Sequence, residues 1–91
     1  MTPEQRPAAI REKLLSAFAP GEVEVIDDSH KHAGHASAGG AGHFTVRLVS
    51  PAFCGKSLVE CHRMVFAALA EFMPEHIHAL SIQASVPAEQ A

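Results

Sequence analysis

The sequence predicts an α+β domain in which two helices pack on one face of a mixed three-stranded sheet. Three observations support this fold class. A chain of 91 residues builds one hydrophobic core and no more. Its apolar fraction of 47% and charged fraction of 19% are those of an ordinary globular protein. The hydrophobic periodicity indicates elements in the order helix, strand, strand, helix, strand, so residues 1–91 are expected to form a single domain.

The first helix is predicted from apolar residues four positions apart, namely Ile10, Leu14 and Phe18. Its firm start is placed near Pro7, because proline is tolerated in the first turn of a helix and breaks the interior. The helix is expected to end before the Pro-Gly pair at positions 20 and 21, since neither residue readily continues a helix.

Two strands are predicted next, at residues 23–27 and 43–49, from β-branched content and from alternation of side chains. The connection at 29–42 is too long for a tight hairpin and is rich in histidine, glycine and alanine. It is expected to be a flexible, exposed loop. Because no helix lies between the two strands, we expect them to pair in antiparallel fashion.

The second helix is predicted to begin at Ser57, which forms a capping box with Glu60. Pro74 is expected to end it. A stripe of apolar residues at helical spacing should be buried. Its members are Leu58, Val65, Leu69 and Phe72.

A third strand is predicted at residues 77–86, with His78, Leu80 and Ile82 on one face. A strand-helix-strand connection normally forms a right-handed crossover between parallel strands. The second and third strands should therefore be parallel, which makes the sheet mixed and leaves both helices on one of its faces. The tail at 87–91 is expected to be disordered.

Charge and composition exclude several classes of function. The formal net charge of -3 argues against a general nucleic-acid binder, because nonspecific affinity comes from neutralisation of phosphates by Lys and Arg. No segment has the pattern of a signal peptide or the length of a membrane span, so a cytoplasmic protein without membrane contact is expected. Cys54 and Cys61 do not form a Cys-x-x-Cys pair and are expected to be free thiols.

Two short motifs contain residue types used in catalysis, and neither has the context that catalysis needs. Gly55-Lys56-Ser57 lacks the first glycine of a phosphate-binding loop, because Ser50 stands five residues before Gly55. Residues 27–30 include the types found in a nucleophilic triad, but neighbours in one loop rarely reach the required orientation. No enzymatic activity is expected.

Histidine is the unusual residue of this sequence, with seven copies, four of them in and just after the predicted loop. Neutral imidazole is a common metal ligand. From spacing alone, His32 is better explained as a solvated loop residue than as a ligand, and His78 as a packed core residue. His62 is expected to be buried and hydrogen-bonded, and no chemistry is assigned to His43 or His76.

Four segments carry a family resemblance: Asp27-Asp28-Ser29-His30-Lys31-His32, His43-Phe44, Phe53-Cys54-Gly55-Lys56-Ser57-Leu58-Val59-Glu60-Cys61-His62-Arg63, and Ile77-His78-Ala79-Leu80-Ser81-Ile82. In their order and spacing they resemble the BolA family. The resemblance covers residues 10–87, almost the whole chain, and is more specific than any single short motif. It implies a fold similar to the class II KH domain.

The resemblance also implies partnership with a monothiol glutaredoxin and a shared two-iron, two-sulfur cluster. In that complex the glutaredoxin cysteine and a bound glutathione provide thiolates, and the BolA-like partner provides two side chains. One comes from the loop and the other from the third strand. In this sequence those positions fall on His32 and His78, with His35 and His30 as alternative loop ligands.

A second activity implied by the resemblance is transcriptional regulation through DNA contact by the second helix and the turn before it. Lys56 and Arg63, with Lys31 in the loop, are the candidate contacts. The Arg-His-Arg usual in the family is here Cys61-His62-Arg63, which removes one positive charge from that surface. A third hypothesis is a stress-linked adaptor that binds no metal. The isolated chain is expected to be a monomer or a weak dimer.

Overall fold

The computed structural model describes residues 1–29 and 40–90, the side chain of residue 90 excepted. The helices are α1 (Arg6–Phe18) and α2 (Leu58–Ala68), and the strands are β1 (Glu22–Asp27), β2 (Gly42–Val49) and β3 (Ile77–Ser85). The strand order is β1-β2-β3. β1 pairs with β2 in antiparallel fashion, and β2 pairs with β3 in parallel. This confirms the predicted fold class, element order and strand directions.

One face of the sheet packs against both helices and forms the core. Alternate residues of β2 point into it, and α1 and α2 each contribute one side to it. The buried apolar residues are Ile10, Leu14, Phe18, Phe44, Val46, Leu48, Phe53, Cys61, Val65, Leu69 and Ile77. The other face of the sheet carries polar side chains, among which Arg47 pairs with Glu24 across β1 and β2. No helix within the described ranges is long and apolar enough to cross a membrane.

The turn after α1 is held against the end of β2. The Ser50 hydroxyl, 1% exposed, donates a hydrogen bond of 2.8 Å to the carbonyl oxygen of Phe18, one of the last carbonyls of the helix. Gly21 follows, and a Cβ at that position would lie 2.6 Å from the carbonyl oxygen of Val49. A residue with a side chain would therefore push α1 away from β2.

The capping box at the start of α2 is confirmed. The Ser57 hydroxyl accepts from the Glu60 amide at 3.1 Å, and the Ser57 amide donates to Glu60 Oε1 at 2.9 Å. The predicted burial of Leu58 is wrong, because its side chain is 68% exposed. The buried stripe begins one turn later, at Cys61, and Leu58 lies beyond its end as the first residue of the helix.

α2 also ends earlier than predicted. Its last residue is Ala68 rather than a position next to Pro74. The Leu69 amide is shared between the carbonyl oxygens of Val65 and Phe66, which tightens the chain from α-helical to 3₁₀ hydrogen bonding. A 3₁₀ turn at Ala70–Phe72 follows. Ala88–Gln90 form another short 3₁₀ turn, within the tail for which disorder was predicted.

Candidate functional site

An irregularity in the pairing of β2 with β3 determines where His78 points. Gly42 pairs with Ile77, but the next residue, His43, pairs with Ala79, so His78 is the extra residue of a bulge. Ile77 is buried and His78 is exposed. The prediction that His78 shares a face with Leu80 is therefore wrong, because the extra residue shifts the alternation along β3. The alternative reading of His78 as a packed core residue is excluded for the same reason.

His43 lies beside His78 on the outer face of the sheet. Phe44 and the alternate residues after it face the core, so the odd-numbered positions of β2 face away from the helices. The imidazole rings of His43 and His78 have centroids 5.2 Å apart and planes inclined by 50°. The structure thus brings His78 together with a histidine to which the sequence had assigned no chemistry.

The backbone of His43 is held by the two residues that follow β1. The Asp28 amide donates to the His43 carbonyl oxygen at 2.7 Å, and the His43 amide donates to the Ser29 hydroxyl at 3.0 Å. Ser29 in turn donates its amide to Asp27 Oδ1 at 2.8 Å, and the Thr45 hydroxyl donates to Asp28 Oδ2 at 2.6 Å. These bonds connect the last residue of β1 and the two residues after it to the first residues of β2, at the level of the histidine pair.

Because Gly42 has no side chain, Ser29 and the Phe44 ring can lie close to the start of β2. A Cβ on Gly42 would lie 2.5 Å from the Phe44 ring and 2.9 Å from the Ser29 hydroxyl oxygen, distances that real Cβ atoms do not show. On the other side of the predicted loop, Arg6 donates a side-chain hydrogen bond of 2.6 Å to the carbonyl oxygen of Gly40. The chain is therefore fixed by hydrogen bonds at Ser29 and at Gly40, where the described ranges end and resume.

The loop candidates fall on positions 30–39. His30, His32, His35 and Lys31 thus lie outside the described residues. Within the described ranges, no group of three or more His, Cys, Asp or Glu side chains could hold a metal ion. What these ranges offer at the site is two imidazoles, His43 and His78, so a metal group bound here would need further ligands from the loop or from another molecule.

The candidate DNA contacts Lys56 and Arg63 are both exposed, at the turn before α2 and on its surface. Glu60 lies between them. The hydrogen bond from the Ser57 backbone amide, with a further contribution from the Ser57 hydroxyl and the charge of Lys56, lowers the pKa of the Glu60 carboxyl. Glu60 is therefore ionised at neutral pH, and its negative charge offsets part of the positive charge of this surface.

The two cysteines and His62 are not part of the histidine pair. Cys54 is exposed, Cys61 is buried, and both are free, as expected. The prediction of a hydrogen-bonded His62 is wrong as far as the described residues go, because its buried Nε2 has no hydrogen-bond partner among them. Sequence reasoning missed His43, although the alternation of β2 already placed it on the outer face.

The family model described as BolA-like protein matches residues 14–89 of this chain. SufE-like protein 1, chloroplastic/mitochondrial, of Arabidopsis thaliana is 51% identical over 86 residues, which are 88% of this chain and 23% of that protein. Protein BOLA1, chloroplastic, of Arabidopsis thaliana is 41% identical over 90 residues, which are 94% of this chain and 56% of that protein. The chain thus spans about a quarter and about half of these two relatives.

A bacterial relative and two solved structures extend the similarity. The DNA-binding transcriptional regulator BolA of Escherichia coli (strain K12) is 42% identical over 73 residues, which are 80% of this chain and 68% of that protein. The BolA domain of SufE1 from Arabidopsis thaliana superposes with a TM-score of 0.80 at 48% identity, covering 92% of this chain and 94% of that one. The solution structure of BolA1 from Mus musculus gives a TM-score of 0.74 at 42% identity, covering 91% and 66%.

Proposed function

This chain belongs to the family of BolA-like proteins, and we propose that it acts without enzymatic activity, by binding a monothiol glutaredoxin and co-ligating a two-iron, two-sulfur cluster shared with glutathione. The role is iron-sulfur trafficking or iron and redox regulation. The observation that carries the proposal is the bulge in β3, which turns the imidazole of His78 outward at the end of the sheet.

The chemistry of the described residues fits a shared cluster. Imidazole binds iron, and histidine ligation in place of thiolate raises the reduction potential of a two-iron, two-sulfur cluster. His78 is exposed, so a partner's thiolates can approach the same metal. Since the described ranges contain no group of three metal ligands, a partner or the loop must complete the set. A cluster held between two proteins meets that requirement.

His32 is proposed as the second ligand because the resemblance to the BolA family assigns the loop ligand to that position. Ser29, the last described residue before the loop, accepts a hydrogen bond from the His43 amide, so this described segment ends beside the His43–His78 pair. His32 stands three positions after Ser29 in the sequence, and His30 and His35, one and six positions after it, remain the alternatives.

Hydrogen bonds from the neighbouring segment of the chain hold the backbone of His43. The amide of Asp28 and the hydroxyl of Ser29 bind both backbone groups of His43, which fixes the strand at the level of His78. Imidazole ligates metal only when unprotonated, so the ligand nitrogen of His78 must carry no proton in the complex.

The test is anaerobic cluster reconstitution of this protein mixed with a monothiol glutaredoxin and glutathione, followed by visible circular dichroism. The wild type should give a heterodimer spectrum that His78→Ala and His32→Ala abolish. His62→Gln, a substitution on α2, should leave the spectrum unchanged and serves as the control. If the spectrum is unchanged in His32→Ala but lost in His78→Ala, the loop ligand of the cluster is His35 or His30.

Two other results would contradict the proposal. If the mixture shows only the cluster of the glutaredoxin itself, this chain supplies no ligand. If glutaredoxin binds but the complex survives the loss of both histidines with no spectral change, the chain is an adaptor that binds no metal. Size-exclusion chromatography of the same mixtures distinguishes these results, and run on the chain alone it tests the expected monomer or weak dimer.

A DNA-binding regulator is the second candidate, and it is favoured by the similarity to the Escherichia coli protein that is named a DNA-binding transcriptional regulator. It would use Lys56 and Arg63 with Lys31. The ionised Glu60 and the net charge of -3 oppose nonspecific phosphate binding, so few contacts would have to supply the affinity. The test is binding to duplex DNA as a function of salt, with Lys56→Ala and Arg63→Ala each reducing the salt slope by about one.

The compartment is part of the proposal as well. One Arabidopsis relative is named as chloroplastic or mitochondrial and the other as chloroplastic, and these locations belong to those two proteins. The cytoplasmic location expected for this chain stays a prediction, which fluorescence microscopy of the tagged protein in its own cell checks.

A further inference from the structure

We propose that His43 and His78 together bind one divalent transition metal ion, of the class represented by Zn²⁺, on the chain alone. The inference goes beyond the shared cluster and does not rest on it, because it requires neither glutaredoxin nor glutathione. It also gives a role to His43, which the cluster proposal leaves without one.

The separation of the two rings is that of two imidazoles on one metal ion. Zinc is bound by histidine nitrogen at about 2.0–2.1 Å in tetrahedral geometry, which places the centroids of two ligating rings roughly 5 Å apart. The centroids of His43 and His78 are 5.2 Å apart. The inclination of 50° between their planes excludes face-to-face stacking, in which the two ring faces would leave no room for an ion between the nitrogens.

The two residues are held on rigid elements. His43 is the second residue of β2, and both of its backbone groups are hydrogen-bonded to the two residues that follow β1. His78 lies in β3, between Ile77 and Ala79, whose partners are the two consecutive β2 residues Gly42 and His43. Because the sheet fixes both Cα positions, metal binding has to order only two side chains.

The two imidazole ligands determine which metal ions can bind and how many coordination positions stay open. Imidazole is a good ligand for zinc, copper and nickel, whereas magnesium and calcium require oxygen ligands. Two protein ligands leave two positions of a tetrahedral ion to water or to an external ligand. His78 is exposed, so these positions face solvent. The site is therefore expected to exchange its metal readily and to accept an additional donor from another molecule.

The test is a titration of the isolated protein with Zn²⁺ in competition with a chromophoric chelator. Cys54 is exposed and is replaced by serine throughout, so that its thiol does not contribute. One ion per chain is expected. His43→Ala and His78→Ala should each weaken binding at least about tenfold, since even the loss of an outer-shell partner costs roughly 10- to 100-fold.

The loop histidines are the obvious rival, and a matched variant separates them. The triple substitution His30→Ala, His32→Ala and His35→Ala should retain the site. His62→Gln on α2 is the second control and should also retain it. Binding that the triple substitution abolishes, or that His43→Ala leaves unchanged, would overturn the proposal, as would a wild type that binds no Zn²⁺.

A proton NMR measurement on the chain with all its histidines intact gives an answer even if the histidine variants fail to fold. Imidazole carbon-bound proton resonances of His43 and His78 should both shift on addition of one equivalent of Zn²⁺ to the Cys54→Ser chain, while those of His62 stay unchanged. Shifts confined to the loop histidines would contradict the proposal independently of any substitution at the site.

Discussion

Replacing Gly42 by alanine should destabilise the fold and disturb the histidine pair at the same time. The new Cβ would lie 2.5 Å from the Phe44 ring, which is 2% exposed and cannot move outward without opening the core. Overpacking of this kind costs about 1–3 kcal/mol. The Cβ would also displace the Ser29 hydroxyl, and loss of its hydrogen bond with the His43 amide adds about 1 kcal/mol.

Gly42→Ala is therefore expected to lower the free energy of unfolding by about 2–4 kcal/mol, measured by urea denaturation at constant slope. For a domain of this size each kcal/mol corresponds to roughly 4–8 °C in Tm. Gly55→Ala is the control for backbone conformation, because Gly55 has φ of 75° and no neighbour within 4 Å of an added Cβ. That strain should cost about 1–2 kcal/mol.

The double substitution Ser29→Ala with Gly42→Ala distinguishes the two contributions. Because Ser29→Ala already removes one of the two clashes and the hydrogen bond, Gly42→Ala should cost less in that background than alone. Equal costs in both backgrounds would refute the role assigned to Ser29. A cost of Gly42→Ala no greater than that of Gly55→Ala would refute the steric argument as a whole.

Three further predictions concern α2 and the residues that cap it. Leu69→Ala should cost about 2–5 kcal/mol and Leu58→Ala less than about 0.5 kcal/mol in urea denaturation, since the first side chain is fully buried and the second is 68% exposed; similar costs would contradict the revised stripe. Ser57→Ala should cost about 1 kcal/mol in the same assay, through loss of the cap, whereas Ser57→Asp should restore most of it. The pKa of the Glu60 carboxyl is lower in the folded chain than in the unfolded chain. Ionised Glu60 therefore stabilises the fold at pH values above its unfolded pKa, and this stabilisation is lost as the pH falls through its folded pKa. Glu60→Gln should flatten that acid limb of the pH profile, and an unchanged profile would show that the hydrogen bonds to Glu60 do not contribute.

Local patterns predicted the elements correctly where the residues act within one helix or one strand. Ile10 and Leu14 at a spacing of four lie fully buried in α1, and the Ser57–Glu60 capping box marks the start of α2. Both signals depend on neighbours within a turn of the same helix. The antiparallel and parallel directions of the sheet also followed, because the connections between strands restrict them.

The errors arose where tertiary contacts override the local pattern. Leu58 continues the helical spacing of Val65, but the first buried residue of the stripe is Cys61. The end of α2 at Ala68 depends on how the Leu69 amide is shared, and periodicity carries no information about that. The bulge at His78 has no glycine to indicate it, and an alternating sequence predicts a regular strand.

The bulge is also what makes the candidate site. In a regular strand His78 and Leu80 would share a face, so an outward histidine would pull Leu80 out of the core, and an inward Leu80 would bury the histidine. One extra residue removes that conflict: Ile77 and Leu80 both pack toward the helices, while His78 faces solvent beside His43. The same irregularity therefore preserves the core and places two imidazoles side by side on neighbouring strands. A site of this kind depends on register between β2 and β3 rather than on any motif in either strand, which is why the histidine pair became visible only in the folded chain.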